Sequence, residues 1–454
     1  MGNNKKRSLF LTVVSILIVL IVLAWFVFRV FEGEKPQIFL QPLPEYISEN
    51  QQFTLNISDM KRGLKSLTVS LSQGGREVPV LNKSFPFSGF FNREGPRSYN
   101  AEFSIDPSKL NLAQGRVDLN VQVWDHSRRN GGDGNISIVH HKMIVDTIPP
   151  AIRAMSRNHY INIGGTGLVV YQTSSDAVES GIFVNERFFK GYPAHENSQD
   201  GYHVCYFAVA PDIKSNPKIY LWTEDRAGNN SSSSFYFHVR RKSFRSVKLT
   251  ISDRFIQRVL PYFSFYSFVS GDSDVDKFLE INQTLRKENA QSYYNMRTDT
   301  TPSQLWDGKW LRLKNAANMA AYGDRRKYYY NGKKIDSQVH MGVDLASLAN
   351  SKVPAANNGR VIFANRLGIY GETVVVDHGQ GLASTYSHLN KIDVEVGQEV
   401  AKGDSVGLTG QTGLAGGDHL HFGVLVNGEF VNPVEWWDPH WIQDNITRKL
   451  VLLK

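Results

Sequence analysis

At 454 residues the chain is too long for one ordinary hydrophobic core and suggests roughly three domains. Its apolar (41%), aromatic (12%) and charged (21%) fractions are those of a globular protein and exclude bulk disorder. A formal charge of +8 favours anionic partners; no nucleic-acid-binding motif accompanies it, so phospholipid headgroups and cell-wall polyanions are expected and nucleic acid is not.

From Ser8 to Phe28 the polar residues are Ser8, Thr12 and Ser15, and the rest are Leu, Ile, Val, Phe, Ala and Trp. A helix of that length spans about 30 Å, the hydrocarbon thickness of a bilayer. Lys5, Lys6 and Arg7 precede it, which keeps the N-terminus cytoplasmic, and Trp25 and Phe26 sit near its far end. The run continues into Phe28-Arg29-Val30-Phe31-Glu32 with no Ala-x-Ala-like site, so it reads as an uncleaved single-pass anchor, residues 1–34. Everything after Glu34 is then expected outside the cytoplasm.

Residues 35–244 read as strands. Alternating runs such as Leu67-Thr68-Val69-Ser70-Leu71 and Val117 to Trp124 are separated by Gly, Asn, Asp and Pro clusters. Val121 to Asp125, a turn, and the strand Ile136 to Val145 are echoed by Tyr220 to Asp225, a turn, and a strand from Ser234 to Val239. Trp124 and Trp222 lie 98 positions apart, close to the length of one immunoglobulin-like sandwich. Two such β-sandwich domains are expected, 35–148 and 149–244, jointed at Asp146-Thr147-Ile148-Pro149-Pro150. Cys205, the one cysteine, excludes an intrachain disulfide and reads as a buried small hydrophobe in a strand.

From Ser252 the period changes. Asp253 to Tyr262 and Asp274 to Asn289 carry apolar residues at helical spacing, with Val275, Phe278, Leu279, Ile281 and Leu285 on one face. Asp272 or Ser273 is placed to cap the second helix. This connecting region, 245–309, has three roles open to it: spacer, groove wall or lid. Residues 310–454 return to short strands and glycine turns, and the tail Trp441 to Lys454 reads as a helix or a strand.

Histidines and one aspartate carry the chemistry. His340 and Asp344 are four apart, about 13 Å in a flat strand, so they meet on a helix or where the backbone bends, which Gly342 permits. His419 and His421 are two apart, which in a strand gives one face; Leu420, Phe422, Val424 and Val426 take the other. His388 ends a strand running from Leu382. Two neutral imidazoles and a carboxylate, with a fourth position open to water, suit catalytic zinc better than calcium or magnesium. His378 reads as structural, His140 and His141 point to opposite strand faces, and His126, His159, His195, His203, His238 and His440 have no partner pattern.

The stretch from Tyr322 to Trp436 resembles the lysostaphin-type, or LytM-like, zinc metallopeptidases of peptidoglycan. The matching pieces are Tyr322-Gly323-Asp324-Arg325, His340-Met341-Gly342-Val343-Asp344-Leu345-Ala346, Gly359 to Ala364 and Val376-Asp377-His378-Gly379. They continue with Tyr386-Ser387-His388-Leu389, Val396 to Asp404 and His419-Leu420-His421-Phe422-Gly423. Tyr322 stands where the family usually has Phe, and Gly423 where it often has Glu. The resemblance implies a small, mostly antiparallel β domain with its site in a groove. It also implies one zinc per catalytic domain on His340, Asp344 and His421, with His388 and His419 flanking the water that attacks. His419 can then take the proton of the water as general base and His388 steady the oxyanion or protonate the leaving amine, with the division of these two roles left open by the sequence. The whole chain is expected to be mainly β, to sit in the bacterial inner membrane and to cut peptidoglycan from the periplasmic or cell-wall side. The alternative is a non-catalytic docking protein that activates other cell-wall hydrolases; protein partners are not legible.

Overall fold

A computed structural model describes residues 2–194, 201–213, 216–269 and 273–453, with side chains from Lys5 onward. His195 and Asp272 lie outside the described residues. The fold is mainly β, led by an apolar helix, Gly2–Val30. From Lys5 to Val30 that helix is long and apolar enough to cross a membrane, and its side chains are exposed from Lys5 to Arg29.

Two bodies follow, residues 1–149 with 226–229, and residues 150–225 with 230–454. In the first, a three-stranded sheet (Gln37–Gln41, Gln51–Ser58, Ser98–Ile105) faces a five-stranded one whose middle strands are Leu64–Gln73, Gly115–Asp125 and Ile136–Val145. Alternation decides the packing. Val117, Leu119, Val121 and Val123 turn inward onto Phe53, Leu55 and Phe103, while the residues between them stay half-buried or polar.

The second body opens with two four-stranded sheets, centred on Thr166–Thr173 with Tyr202–Ala208, and on Ala177–Val184 with Ile219–Asp225. Cys205 is buried in the Tyr202–Ala208 strand as expected. The strand expected from Ser234 to Val239 is instead two pieces, Asn230–Ser233 and Phe237–Arg240. The chain leaves one sheet between them so that Phe235 packs against Phe207 and His159, and the second piece pairs in parallel with His159–Asn162.

The hydrophobic core of these sheets is continuous with that of the C-terminal region. Glu435 ties the two together from inside. Its carboxylate accepts from Asn162 Nδ2 and from the Thr166 N–H, both at 2.9 Å, and burial pushes its pKa up to about 7. The unfolded chain loses this proton near pH 4.5 and the folded chain keeps it to about pH 7, so stability falls as pH rises through that window. Glu435→Gln should flatten the fall, which at full burial amounts to about 3 kcal/mol. Unfolding midpoints of both proteins at pH 5 and pH 7.5 check it; an unchanged slope refutes the assignment.

The connecting region begins as a strand, Ser246–Ile251, parallel to Arg325–Tyr330 in a sheet completed by Lys333–Val339. Ser252 caps the helix Asp253–Val259 by accepting from the Phe255 N–H. Ser273 caps the second helix by accepting from the Asp276 N–H, and the helical run from Asp274 reaches Asn295 through one wide π turn, Ile281–Leu285. The tail from Pro439 to Leu453 is helical. Between connector and tail lies the largest sheet, ten strands, in which Val343–Ala346, Leu420–Val426 and Leu382–Ile392 are neighbours in that order.

Candidate active site

Strand register makes the first contact. Asp344 on the Val343–Ala346 strand pairs directly with His421 on Leu420–Val426, and His421 pairs on its other side with Ser387. The chain bends at Met341-Gly342 ahead of the strand, which folds His340 back onto Asp344 despite their spacing of four. His340 Nε2, Asp344 Oδ1 and His421 Nδ1 form a triangle with edges of 2.9, 3.0 and 2.8 Å. All three residues are buried.

Gly342 is required by space as well as by the bend. A Cβ there would lie 2.5 Å from His421 Nε2 and 2.8 Å from the Phe422 carbonyl oxygen. Gly342→Ala should therefore push the His421 ring out of place and weaken metal binding by 10- to 100-fold, on the order seen when support behind a ligand is lost. A metal titration of the folded variant checks this.

Donor chemistry fits a cation. His340 Nδ1 lies 3.0 Å from the Ala321 carbonyl, which can only accept, so the proton sits on Nδ1 and Nε2 presents a lone pair to the carboxylate. Burial alone would raise the Asp344 carboxyl, but His340 and His421 outweigh it and hold the group well below the usual carboxylate range. Burial pushes His421 down to about 4 against the pull of Asp344, so it is neutral at pH 7. With the His340 proton on Nδ1, its Nε2 lone pair and the Asp344 carboxylate oxygen at 2.9 Å repel one another unless a positive charge lies between them. The edges approach the roughly 3.3 Å of tetrahedral zinc with 2.0–2.1 Å bonds. The outer carboxylate oxygen, Asp344 Oδ2, accepts from Arg326 Nη2 at 2.7 Å, which fixes the carboxylate plane.

Two further histidines stand beside this triangle. His419 directly precedes the Leu420–Val426 strand, bridged to Gly410, and its Nε2 is 3.7 Å from Asp344 Oδ1. His388 was expected at a strand end but lies within Leu382–Ile392, at φ +62°. Pairing with Glu372–Asp377 slips by one residue there, between Tyr386 and Leu389, and that bulge turns the imidazole toward the cleft. Left-handed backbone is disfavoured for a side chain of this size, and its presence beside the donor set is strain held at a candidate site. The His388 and His419 rings are 4.8 Å apart. Each is held by a backbone carbonyl at Nδ1, Thr412 for His388 and Gly417 for His419, both at 2.8 Å. Both therefore carry the Nδ1 proton and keep Nε2 free to accept one. Burial, helped by the neighbouring histidines, pushes His388 well below its ordinary pKa and keeps it neutral.

The five residues line a cleft of about 520 Å³. Ile251, Phe255 and Phe278 line the same cleft, so the connecting region serves as a groove wall. Arg258 ties that wall to the loop before His419 by donating to the Gly416 carbonyl at 2.8 Å. Sequence reasoning missed Arg326 and Tyr370, whose ring is 5.4 Å from that of His421; neither belongs to a spacing that marks it. Both departures from the family pattern have a local reason. The Tyr322 ring is buried and its hydroxyl donates to the Phe430 carbonyl, while a Cβ at Gly423 would lie 2.8 Å from both Phe430 and Thr385. His378 is buried between the Asn358 carbonyl and the Ser384 hydroxyl, a structural place. His140 and His141 hydrogen-bond separately, to Asn120 and the Pro44 carbonyl, and belong to no metal-donor group among the described residues.

Residues 338–433 match the model of peptidase family M23. Over 97 residues the chain is 36% identical to the DD-carboxypeptidase/endopeptidase Mpg of Neisseria meningitidis serogroup B, covering 21% of this chain and 22% of that one. It is 36% identical over 96 residues to the peptidoglycan DD-endopeptidase ShyA of Vibrio cholerae, with the same coverage of 21% and 22%. It is 37% identical over 106 residues to the murein hydrolase activator EnvC of Escherichia coli, covering 23% and 25%. The chain thus spans a quarter or less of the length of these three curated relatives.

Proposed function

We propose, from the peptidase family M23 domain that residues 338–433 form, that this chain is a membrane-anchored zinc metalloendopeptidase hydrolysing peptide bonds of bacterial peptidoglycan. The observation that carries the reading is the convergence of His340 Nε2, Asp344 Oδ1 and His421 Nδ1 within 3.0 Å of one another, beside two histidines with free Nε2 atoms. These three residues would hold one zinc ion, which when bound polarises a scissile carbonyl and acidifies a water. His419 Nε2, the nearer to the carboxylate, accepts the proton of the attacking water. His388 is kept weakly basic by burial, so a proton placed on its free Nε2 during the reaction is held loosely and is readily passed to the leaving amine or shared with the oxyanion. Arg326 acts through Asp344 as a positioning residue.

The helix from Lys5 to Val30 supports a single-pass anchor with a cytoplasmic N-terminus, and with it a catalytic domain in the periplasm or cell-wall space. The similarity to a murein hydrolase activator favours a second reading, a docking protein without turnover. The presence of all three donors together with both flanking histidines argues for catalysis. Digestion of purified peptidoglycan with the zinc-loaded, detergent-solubilised chain tests this, with mass spectrometry of the released muropeptides. New peptide ends that vanish with a chelator are expected. Intact peptides, together with stimulation of a separate wall hydrolase, would establish the activator instead.

A further inference from the structure

The loop joining strands Arg76–Ser84 and Ser98–Ile105 carries Phe85, Phe87, Phe90 and Phe91 within seven residues. Phe85 packs into the first body's core, but Phe87 and Phe90 are 53% and 73% exposed, and neighbouring Met60 is 74% exposed. Phe91 meets the apolar helix, its ring 5.8 Å from Trp25 and 5.5 Å from Phe26, and Phe90 lies against Phe91 at 4.3 Å.

This presentation is built rather than incidental. Phe91 and Asn92 both hold φ near +59°, a conformation bulky side chains avoid. Asn92 is fully buried and locks it, accepting from the Ser88 N–H at 2.8 Å and donating to the Arg62 carbonyl at 2.7 Å. The Arg62 guanidinium sits 5.8 Å from both the Phe87 and Phe91 rings. The helix end is fixed to the same body. The Arg128 N–H donates to the Val30 carbonyl, Arg129 Nε to that of Phe31 and the Ser127 hydroxyl to that of Glu32. Trp25 and Phe26 lie five and four residues before Val30, so Phe91 sits about 6–8 Å below the helix end, at the depth of a bilayer interface. By the helix end and loop, exposed Arg93, Arg128 and Arg129 stand against Glu94, while Lys61 pairs with Glu34 at 2.6 Å and the acidic group Glu32, Asp59 and Asp125 is mostly buried, so the exposed charge suits anionic headgroups.

We propose that the Phe87–Phe91 loop is a second membrane contact, inserted in the interfacial layer of the non-cytoplasmic leaflet beside the spanning helix. The occupant of this apolar patch is phospholipid. The loop and the helix together would fix the tilt of the first β body on the membrane, which a single flexible tether cannot do. The inference rests on the anchor reading above and not on peptidase activity.

Depth-dependent quenching on the full chain tests it, in nanodiscs of phosphatidylethanolamine and phosphatidylglycerol that hold one chain each, which removes a second copy as an occupant. Phe90→Cys, and separately Ser88→Cys to keep Phe90 intact, are labelled with a fluorophore; buried Cys205 stays unlabelled. Val19→Cys reports the spanning helix and Arg76→Cys, exposed beside the far end of the Leu64–Gln73 strand of the same body, the solvent. Labels at 88 and 90 should be quenched by a nitroxide high on the acyl chain and shielded from aqueous iodide, the reverse of the label at 76. If the label at 19 is quenched by lipid while 88 and 90 behave like 76, the loop is in water and the proposal fails with the anchor intact. Shielding from iodide without lipid quenching at 88 and 90 means protein covers the patch, and also overturns it. A label at 19 that no lipid nitroxide reaches removes the anchor and the loop together.

Discussion

Asp344→Ala should lose its metal and its peptidoglycan cleavage together, with kcat/KM falling on the order of 10³-fold or more, about 4 kcal/mol of barrier. Oδ1 is the one atom within 2.9 Å of both imidazole nitrogens in the donor triangle, so its removal opens the site on two edges at once. The same change strands a second charge. Arg326 has Asp344 as its ion-pair partner, and in the variant its guanidinium would face the metal position with nothing between. Two effects of one sign then act on a cation, a lost ligand and an added repulsion. Asp344→Asn separates them, because it keeps the shape but gives up the charge and should still fail to retain zinc. Elemental analysis of the folded proteins decides the matter. A variant that is folded and still holds one zinc per chain at the parent affinity would falsify the ligand assignment.

His419→Ala should behave oppositely towards the metal. Its Nε2 stands 3.7 Å from Asp344 Oδ1, outside the triangle of 2.8–3.0 Å edges, so zinc content should be unchanged. Turnover should fall by 10²- to 10⁴-fold, the usual contribution of a positioned base. The Gly417 carbonyl holds the ring at Nδ1 and leaves Nε2 free in the residue that lines the cleft. His388→Ala should also keep zinc, since the ring approaches His421 at 5.8 Å but is not one of the three donors. Comparing the two variants on a substrate with a good leaving group divides their roles. A donor of the leaving-group proton becomes dispensable there, whereas the base does not. Loss of zinc from His419→Ala would mean that the roles of His419 and His421 are exchanged.

The sequence by itself determined what depends on local backbone geometry. Hydropathy over some twenty residues specified the apolar helix, because so long an uninterrupted apolar run has the length of a bilayer span. Period-two alternation specified strands such as Gly115–Asp125, because successive side chains must leave opposite faces. The same rule put His419 and His421 on one side, and the donor types were legible because imidazole and carboxylate without thiolate restrict the metal. The family resemblance then assigned roles to residues that spacing alone left open.

Tertiary structure decided whatever depends on pairing between distant strands. Asp344 meets His421, 77 residues later, because three strands stack in one register, and no local pattern encodes register. Arg326 reaches the carboxylate for the same reason, from a strand in another sheet. His388 reads as a strand end because the residues after it look like a loop, yet the strand continues through a bulge that exists only where two partners disagree by one residue. Phe235 leaves its sheet for a core that the second β region shares with the C-terminal region, and Phe255 and Phe278 line the cleft rather than serve as a spacer. Apolar spacing tells a helix which face to bury, but the surface it buries against is set by the rest of the chain.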